Sequence, residues 1–208
     1  MIMCKELLHL KNHNNTFHYG GLVGKPQIWP NAGEHRKIAG KYGKSLIEQD
    51  FENPHTGQIE TFSLLVQKDW SVVLALTCGN QVLVVNEFKQ GRNSIERELS
   101  AGTADFNESP SEVMKRELLQ ETGYQAGELI SLGFGWMATR NSPTKAHLFL
   151  ATGCQKTQPA KLDTSEVIET ELIPLNDWIQ LVVDGQINEW SAVMATVRAL
   201  PHLGLRIS

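Results

Sequence analysis

The stretch GTADFNESPSEVMKRELLQETGY, residues 102–124, decides how this chain is read. Ser109, Pro110 and Glu112 predict a helix start: a capping hydroxyl, a first-turn proline and an early acid. Gly123 predicts its end, because glycine tolerates the left-handed conformation that closes a helix. On a helical wheel from Val113, Glu117 falls at about 40°, Glu121 at about 80°, Met114 at about 100° and Leu118 at about 140°. Glu112, Lys115 and Arg116 fall on the other side. Both glutamates therefore stand in the apolar arc, where a carboxylate is unfavourable unless paired, protonated or bound to a cation. One turn apart, they repel when both are ionised. A divalent cation between them relieves both problems, and hard oxygen ligands suit Mg²⁺ or Mn²⁺. The alternative is a helix rotated so that both acids face water. Solvated charges already fill the opposite face, which argues against that rotation.

On either side of this helix the chain reads as strands. Ser45 to Glu52, Ile59 to Gln67 and Ser71 to Thr77 are enriched in β-branched and aromatic residues. Asn53-Pro54-His55-Thr56-Gly57 predicts a turn, and Gly79-Asn80 predicts a hairpin into the apolar run Val82 to Val85. Leu129 to Phe134, His147 to Thr152 and Val167 to Pro174 predict further strands. Gly133-Phe134-Gly135 reads as a strand end. Two terminal helices are expected, one opened by Asn176-Asp177 and closed by Gly185, the other opened by Asn188. Residues 1–44 show no sustained period and read as an irregular N-terminal arm with room for short strands. Residues 45–70 read as a β extension and 71–208 as the main domain, an α/β sandwich with a mixed sheet.

The chain has 208 residues, 19 Lys and Arg against 23 Asp and Glu, and a net charge of −4. That balance removes the electrostatic case for a nucleic-acid or anionic-membrane partner. Its three cysteines, Cys4, Cys78 and Cys154, lie far apart, which argues against a disulfide framework and for a reducing, cytoplasmic setting. No apolar run reaches membrane-spanning or signal-peptide length. Trp29, Trp70 and Trp136 read as core or interface residues. The histidines show no metal-ligand spacing.

The spacing Gly102, Glu108, Arg116-Glu117-Leu118, Glu121 and Gly123-Tyr124 resembles the Nudix box, G-x5-E-x7-R-E-U-x-E-E-x-G-U, with U apolar. At average composition the matched positions would arise by chance on the order of once in a million such chains. Gln120 departs from the pattern, standing where the first glutamate of the E-E pair belongs. Further residues resemble the ADP-ribose pyrophosphatase-like branch. Glu98-Leu99-Ser100-Ala101-Gly102 stands for its E-L-P-A-G lead-in, and Glu87-Phe88-Lys89 for its Gln-Tyr-Arg. His147 to Ala151 stands for a downstream strand, and the resemblance covers about residues 45–200.

That resemblance implies a Nudix α/β/α sandwich whose N-terminal β extension pairs two subunits into a homodimer. It implies Mg²⁺- or Mn²⁺-dependent hydrolysis of a small nucleotide, a nucleoside diphosphate linked to X. ADP-ribose or a related nucleoside diphosphate sugar is the expected substrate, cleaved to a nucleoside monophosphate and a sugar phosphate. By this carry-over Glu117, Glu121 and the Ala101 carbonyl are metal ligands, with Gln120 as a weaker one. Glu98 and Lys89 are substrate-side residues. Gly102, Glu108, Arg116 and Gly123 hold the box together. Glu166 is the candidate general base at a loop end, with Asp163 and Glu169 as rivals. Arg140, in the polar turn Arg140-Asn141-Ser142-Pro143, is a candidate phosphate contact. The alternative reading is a non-catalytic Nudix-fold nucleotide sensor, motivated by Gln120, Ser100 and Lys89.

Overall fold

The continuous apolar run Val82 to Val85 is buried on both faces of a sheet, which explains its lack of alternation. Val82 and Val84 point into one core layer and Leu83 into another. The computed structural model describes residues 26–105, 107–163 and 167–206. Three strands near the N-terminus, β1 (Arg36–Lys41), β2 (Lys44–Glu52) and β3 (Ile59–Val66), form a sheet in the order β1-β2-β3. An eight-stranded mixed sheet follows. Its strands are β4 (Trp70–Thr77), β5 (Gln81–Lys89), β6 (Ser94–Leu99), β7 (Ala101–Thr103), β8 (Tyr124–Gln125), β9 (Glu128–Ala138), β10 (Ser142–Lys156) and β11 (Ile168–Pro174). The main path is β11-β5-β4-β10-β8, with β6 on β5, β7 on β4 and β9 on β10. The β4 and β10 strands run parallel.

Helix α1 (Pro110–Thr122) packs Met114 and Leu118 on one face of this sheet, over Val73, Ala75 and Phe149. Helices α2 (Leu175–Val183) and α3 (Trp190–Ala199) cover the other face, over Val72, Leu74 and Leu148. The result is the expected α/β/α sandwich. Trp178 of α2 is fully buried, and its indole N–H donates to Thr196 Oγ1 at 2.9 Å.

The described chain divides into two compact units, residues 26–36 with 48–63 and residues 37–47 with 64–206. In the first, Phe62 meets Trp29 and Phe51 edge-on at 6.0 and 5.7 Å. Arg36 donates to both carboxylate oxygens of Asp50 and holds that carboxyl down at about 2, with help from Thr61. The second unit holds the eight-stranded sheet, the three helices and every described residue of the candidate site.

Several elements differ from the sequence reading. Regular pairing begins at Arg36, inside the stretch read as irregular, because Tyr42 and Gly43 both take positive φ (53° and 73°) and turn the chain into a hairpin. Strand β6 carries too many charged residues to read as a strand and β7 is only three residues long, yet each is hydrogen-bonded to a buried neighbour. Gly133-Phe134-Gly135 lies inside β9, not at its end. Gly133 (φ 83°) accompanies an irregular register there, between the pairs His147–Phe134 and Phe149–Ser131. Helix α2 opens after Pro174, which has no capping side chain, rather than at Asn176. The cap of α3 is Glu189, not Asn188; its carboxylate accepts the backbone N–H groups of Ser191 and Ala192.

Candidate active site

Helix α1 is fixed at both ends as its sequence predicts. Ser109 and Glu112 form a reciprocal capping box, and Gly123 closes the helix at φ 77°. This places Glu117 and Glu121 on the face turned to the sheet. Glu121 is 6% exposed, and the Glu117 side chain is 14% exposed. Gly102, on β7 opposite Ser71, lies directly beneath the Glu117 side chain. A β-carbon at residue 102 would overlap the Glu117 carboxyl carbon and Oε1. Glycine is needed here for close approach, not for a left-handed backbone.

Arg116 binds this arrangement together. Its Nε and Nη2 donate to the two Glu108 carboxylate oxygens at 2.8 and 2.9 Å, a bidentate pair. Its Nη2 also donates to the Thr103 carbonyl of β7 at 3.1 Å. Its Nη1 donates to Gln120 Oε1 at 2.9 Å and lies 2.9 Å from Glu117 Oε1. The Arg116 guanidinium and the Asp105 N–H together hold the Glu108 carboxyl down at about 2. The loop, β7 and α1 are thus joined at one side chain. Gln120 has its amide oxygen turned to Arg116.

The chain after β10 is tied to the same helix end. Thr157 N–H donates to the Gly123 carbonyl at 3.0 Å and Lys161 N–H to the Gln120 carbonyl at 2.8 Å. A β-carbon on Gly123 would overlap the Gln158 carbonyl. Asp163, two residues past that tether, is exposed. Glu166, the candidate base, lies outside the described residues. Glu169 is exposed on β11 opposite Asn86.

A cavity of about 570 Å³ opens beside Ala101 and Gly102. Lys89, Glu98, Trp70, Lys44 and Glu189 line it, with Tyr42 at the β1–β2 turn. Lys89 Nζ lies 2.6 Å from Glu87 and 3.0 Å from Glu98. Burial pulls the Lys89 ammonium down, but the two carboxylates outweigh it and its pKa rises. Burial pushes the Glu98 carboxyl up; Lys89 opposes this, while Glu189 and Glu87 add to the rise. Lys89 and Glu98 therefore meet at the cavity. Arg140 does not join them: it is exposed in the turn between β9 and β10 and does not line the cavity. Tyr42, Lys44 and Glu189 escaped the sequence reading because no motif marks them and only pairing in space brings them to Ala101; Trp70, read as core or interface, lines the cavity.

Among the described residues, no three His, Cys, Asp or Glu side chains gather as a metal-holding group. The residues that could hold an ion are the helix carboxylates of Glu117 and Glu121, with the main chain of Ala101 and Gly102 on the strand beneath Glu117. That set fits Mg²⁺ or Mn²⁺, which take few protein oxygens and fill the remaining positions with water or substrate phosphate. The space over Gly102, kept clear of any β-carbon, is what lets the Glu117 carboxylate reach the Ala101–Gly102 strand.

Two carboxylates one turn apart on a helix, an arginine clamp beside them and a lysine-lined cavity at the neighbouring strand suit the binding of a metal ion and a phosphate-bearing substrate. The chain belongs to the Nudix family: the NUDIX domain model matches residues 67–193. It is a pyrophosphohydrolase, and enzymes of this family generally use divalent metal ions. It is 25% identical to the ADP-ribose pyrophosphatase of Bacillus subtilis (strain 168) over 162 residues, 77% of this chain and 85% of that one. It is 30% identical to a GDP-mannose pyrophosphatase of Yersinia enterocolitica over 129 residues, 58% of this chain and 67% of the relative. A crystal structure of an ADP compounds hydrolase superposes with a TM-score of 0.76 at 21% identity, covering 87% of this chain and 97% of that chain. No helix among the described residues is long and apolar enough to cross a membrane.

Proposed function

We propose that this chain hydrolyses the pyrophosphate bond of a nucleoside diphosphate sugar, with Mg²⁺ or Mn²⁺, to a nucleoside monophosphate and a sugar phosphate. ADP-ribose and GDP-mannose, the substrates in the relatives' names, are the first candidates. From ADP-ribose the products are AMP and ribose 5-phosphate. The observation that carries this reading is the Glu117 carboxylate laid over Gly102, with buried Glu121 one turn further along the same helix face.

Glu117, Glu121 and the Ala101 carbonyl would hold the ion; Gln120, the weaker ligand expected from the sequence, gives its amide oxygen to Arg116 instead. When bound, the ion neutralises phosphate oxygens and lowers the pKa of water. The chain's own residues do the positioning. Arg116 holds Glu117 in place from one side while anchoring the loop through Glu108. Lys89 and Glu98 present a cation and an acid to the substrate at the cavity rim. Lys44 and Lys68 line the same cavity and favour a polyanion there. Glu166 is the proposed base. Support for this comes from the segment before it, which is tethered to the Gln120 carbonyl at the end of α1. A homodimer built through residues 45–70 and a cytoplasmic setting belong to the same proposal. A panel of nucleoside diphosphate sugars with Mg²⁺ and Mn²⁺, read by release of the monophosphate, tests it. No turnover on any member, with tight binding retained, would favour the sensor alternative.

A further inference from the structure

The chain from Leu99 to Gly102 alternates between the two faces of the large sheet. Leu99 and Ala101 pack into the layer beneath α2 and α3. Gly102 faces α1, whose Glu117 side chain lies over it. Ser100 stands between Leu99 and Ala101, so it faces α1 as Gly102 does. Its carbonyl accepts the Val73 N–H at 3.1 Å, and Val73 belongs to the layer that Met114 and Leu118 of α1 build on that face.

Helix and strand keep step here. Glu117 lies over Gly102, which pairs with Ser71 near the start of β4. At the helix end the Gly123 carbonyl accepts the Thr157 N–H just past β10, the strand parallel to β4. Helix α1 therefore runs in the sense of β4. From Glu117 to Glu121 is about one turn, roughly 6 Å along the helix. From Gly102 to Ser100 is two strand residues, roughly 6.7 Å in the same direction. With Glu117 over Gly102, Glu121 falls over Ser100. Both are buried, and Ser100 is 1% exposed. Among the described residues the Ser100 hydroxyl has no hydrogen-bond partner. A buried hydroxyl without a partner is unfavourable. Ser100 also stands where the resembling E-L-P-A-G lead-in has proline, so this hydroxyl is the chain's own.

We infer that Ser100 is a positioning residue of the ion site, its hydroxyl donating to the Glu121 carboxylate and fixing the direction in which that carboxylate meets the ion. The inference rests on the proposed holding of a divalent ion by Glu117 and Glu121, and deepens it. A carboxylate that binds a cation is itself held by hydrogen-bond donors. For Glu117 that donor is Arg116, whose Nη1 lies 2.9 Å from Glu117 Oε1. Ser100 supplies the equivalent donor from the strand beneath Glu121. Its hydroxyl can turn to donate without moving the backbone, which Val73 holds.

The test compares the full-length wild type, Ser100→Ala and Ser100→Cys. Mn²⁺ binding is titrated by electron paramagnetic resonance, and thermal melts are run with EDTA and with a fixed excess of Mn²⁺. Ser100→Ala removes only the hydroxyl and should fold; Ser100→Cys carries the comparison if it does not. Mn²⁺ binding roughly tenfold weaker in Ser100→Ala is expected. Ser100→Cys, with a weaker donor of similar size, should fall between the two. In EDTA, Ser100→Ala should melt at or above the wild-type temperature, because it has lost an unmatched buried group. The rise in Tm on adding Mn²⁺ should be smaller in Ser100→Ala than in the wild type. Mn²⁺ affinity within about twofold of wild type would overturn the role. So would a Tm lowered equally with and without Mn²⁺, which would make the hydroxyl a contact of the fold alone. If the wild type binds no Mn²⁺, the ion site and the role of Ser100 fail together. If Mn²⁺ binding weakens in Ser100→Ala while the wild type releases no AMP from ADP-ribose, Ser100 keeps its role and the hydrolysis fails.

Discussion

The Glu117 carboxylate occupies the space that a β-carbon on residue 102 would fill. This relationship connects a glycine in a three-residue strand to an acid eight positions into a helix. Gly102→Ala is therefore expected to displace Glu117 while leaving the helix intact. Misplacing a reacting group by an ångström costs on the order of 10²-fold in rate. A loss of at least that size in kcat/KM, with an unchanged circular dichroism spectrum, is the expected result.

Arg116 has Glu108, Gln120, Glu117 and the Thr103 carbonyl as partners. Arg116→Met leaves these acceptors unmatched at the helix–loop junction. Urea unfolding should show a loss of roughly 2 kcal/mol, since hydrogen bonds to charged groups contribute about that much. Arg116→Lys should recover only part of it, because an ammonium cannot reproduce the bidentate fork.

The Glu108 carboxyl sets an acid limit. Its folded pKa, about 2, lies below the ordinary 4.5, so the folded state binds fewer protons than the unfolded chain between these values. The stabilisation is complete above 4.5 and is lost as pH falls toward about 2. The stability difference between the wild type and Glu108→Gln should therefore be constant at neutral pH and shrink across that window in thermal melts. A difference that grows on acidification would reverse the sign and refute the pairing.

Gln120→Glu adds a carboxylate next to Glu117 and Glu121, although Arg116 will compete for it. Affinity for hard cations follows ligand charge. Mn²⁺ titration followed by electron paramagnetic resonance should show tighter binding, by roughly 3- to 10-fold, or an additional bound ion. Unchanged stoichiometry and affinity would mean that position 120 serves Arg116 alone.

Glu166→Gln should lower kcat by roughly 10²–10⁴-fold if it is the base. Asp163→Asn and Glu169→Gln should stay within about threefold of wild type. The opposite ranking would move the base to Asp163 or Glu169.

Helix α1 was legible because its cap, its apolar arc and its closing glycine all point the same way over one continuous segment. Strands β4 and β5 were legible from apolar runs bounded by the Gly79-Asn80 turn. Strand β6 was not, because Glu96, Arg97 and Glu98 in succession mask its period while Arg97 pairs with Glu171 and Glu98 with Lys89. The full length of β9 was hidden by Gly133 and Gly135, whose reasons lie in tertiary structure: a register irregularity, and close packing on α3. In the candidate site, the box residues could be found by spacing. The cavity could not, because strand pairing assembles it from distant positions. Trp136, read as core or interface, is 46% exposed, and the one local sign of it was the alternation Phe134, Trp136.

The central claim is that Glu117 and Glu121 hold a divalent ion that makes pyrophosphate cleavage possible. The most direct measurement is Mg²⁺-dependent release of AMP and ribose 5-phosphate from ADP-ribose, comparing the wild type with Glu117→Gln and Glu121→Gln, each shown to be folded. The account predicts turnover by the wild type and its near-complete loss in both variants. Equal rates in all three proteins, or a wild-type rate indifferent to removal of the metal by a chelator, would contradict it.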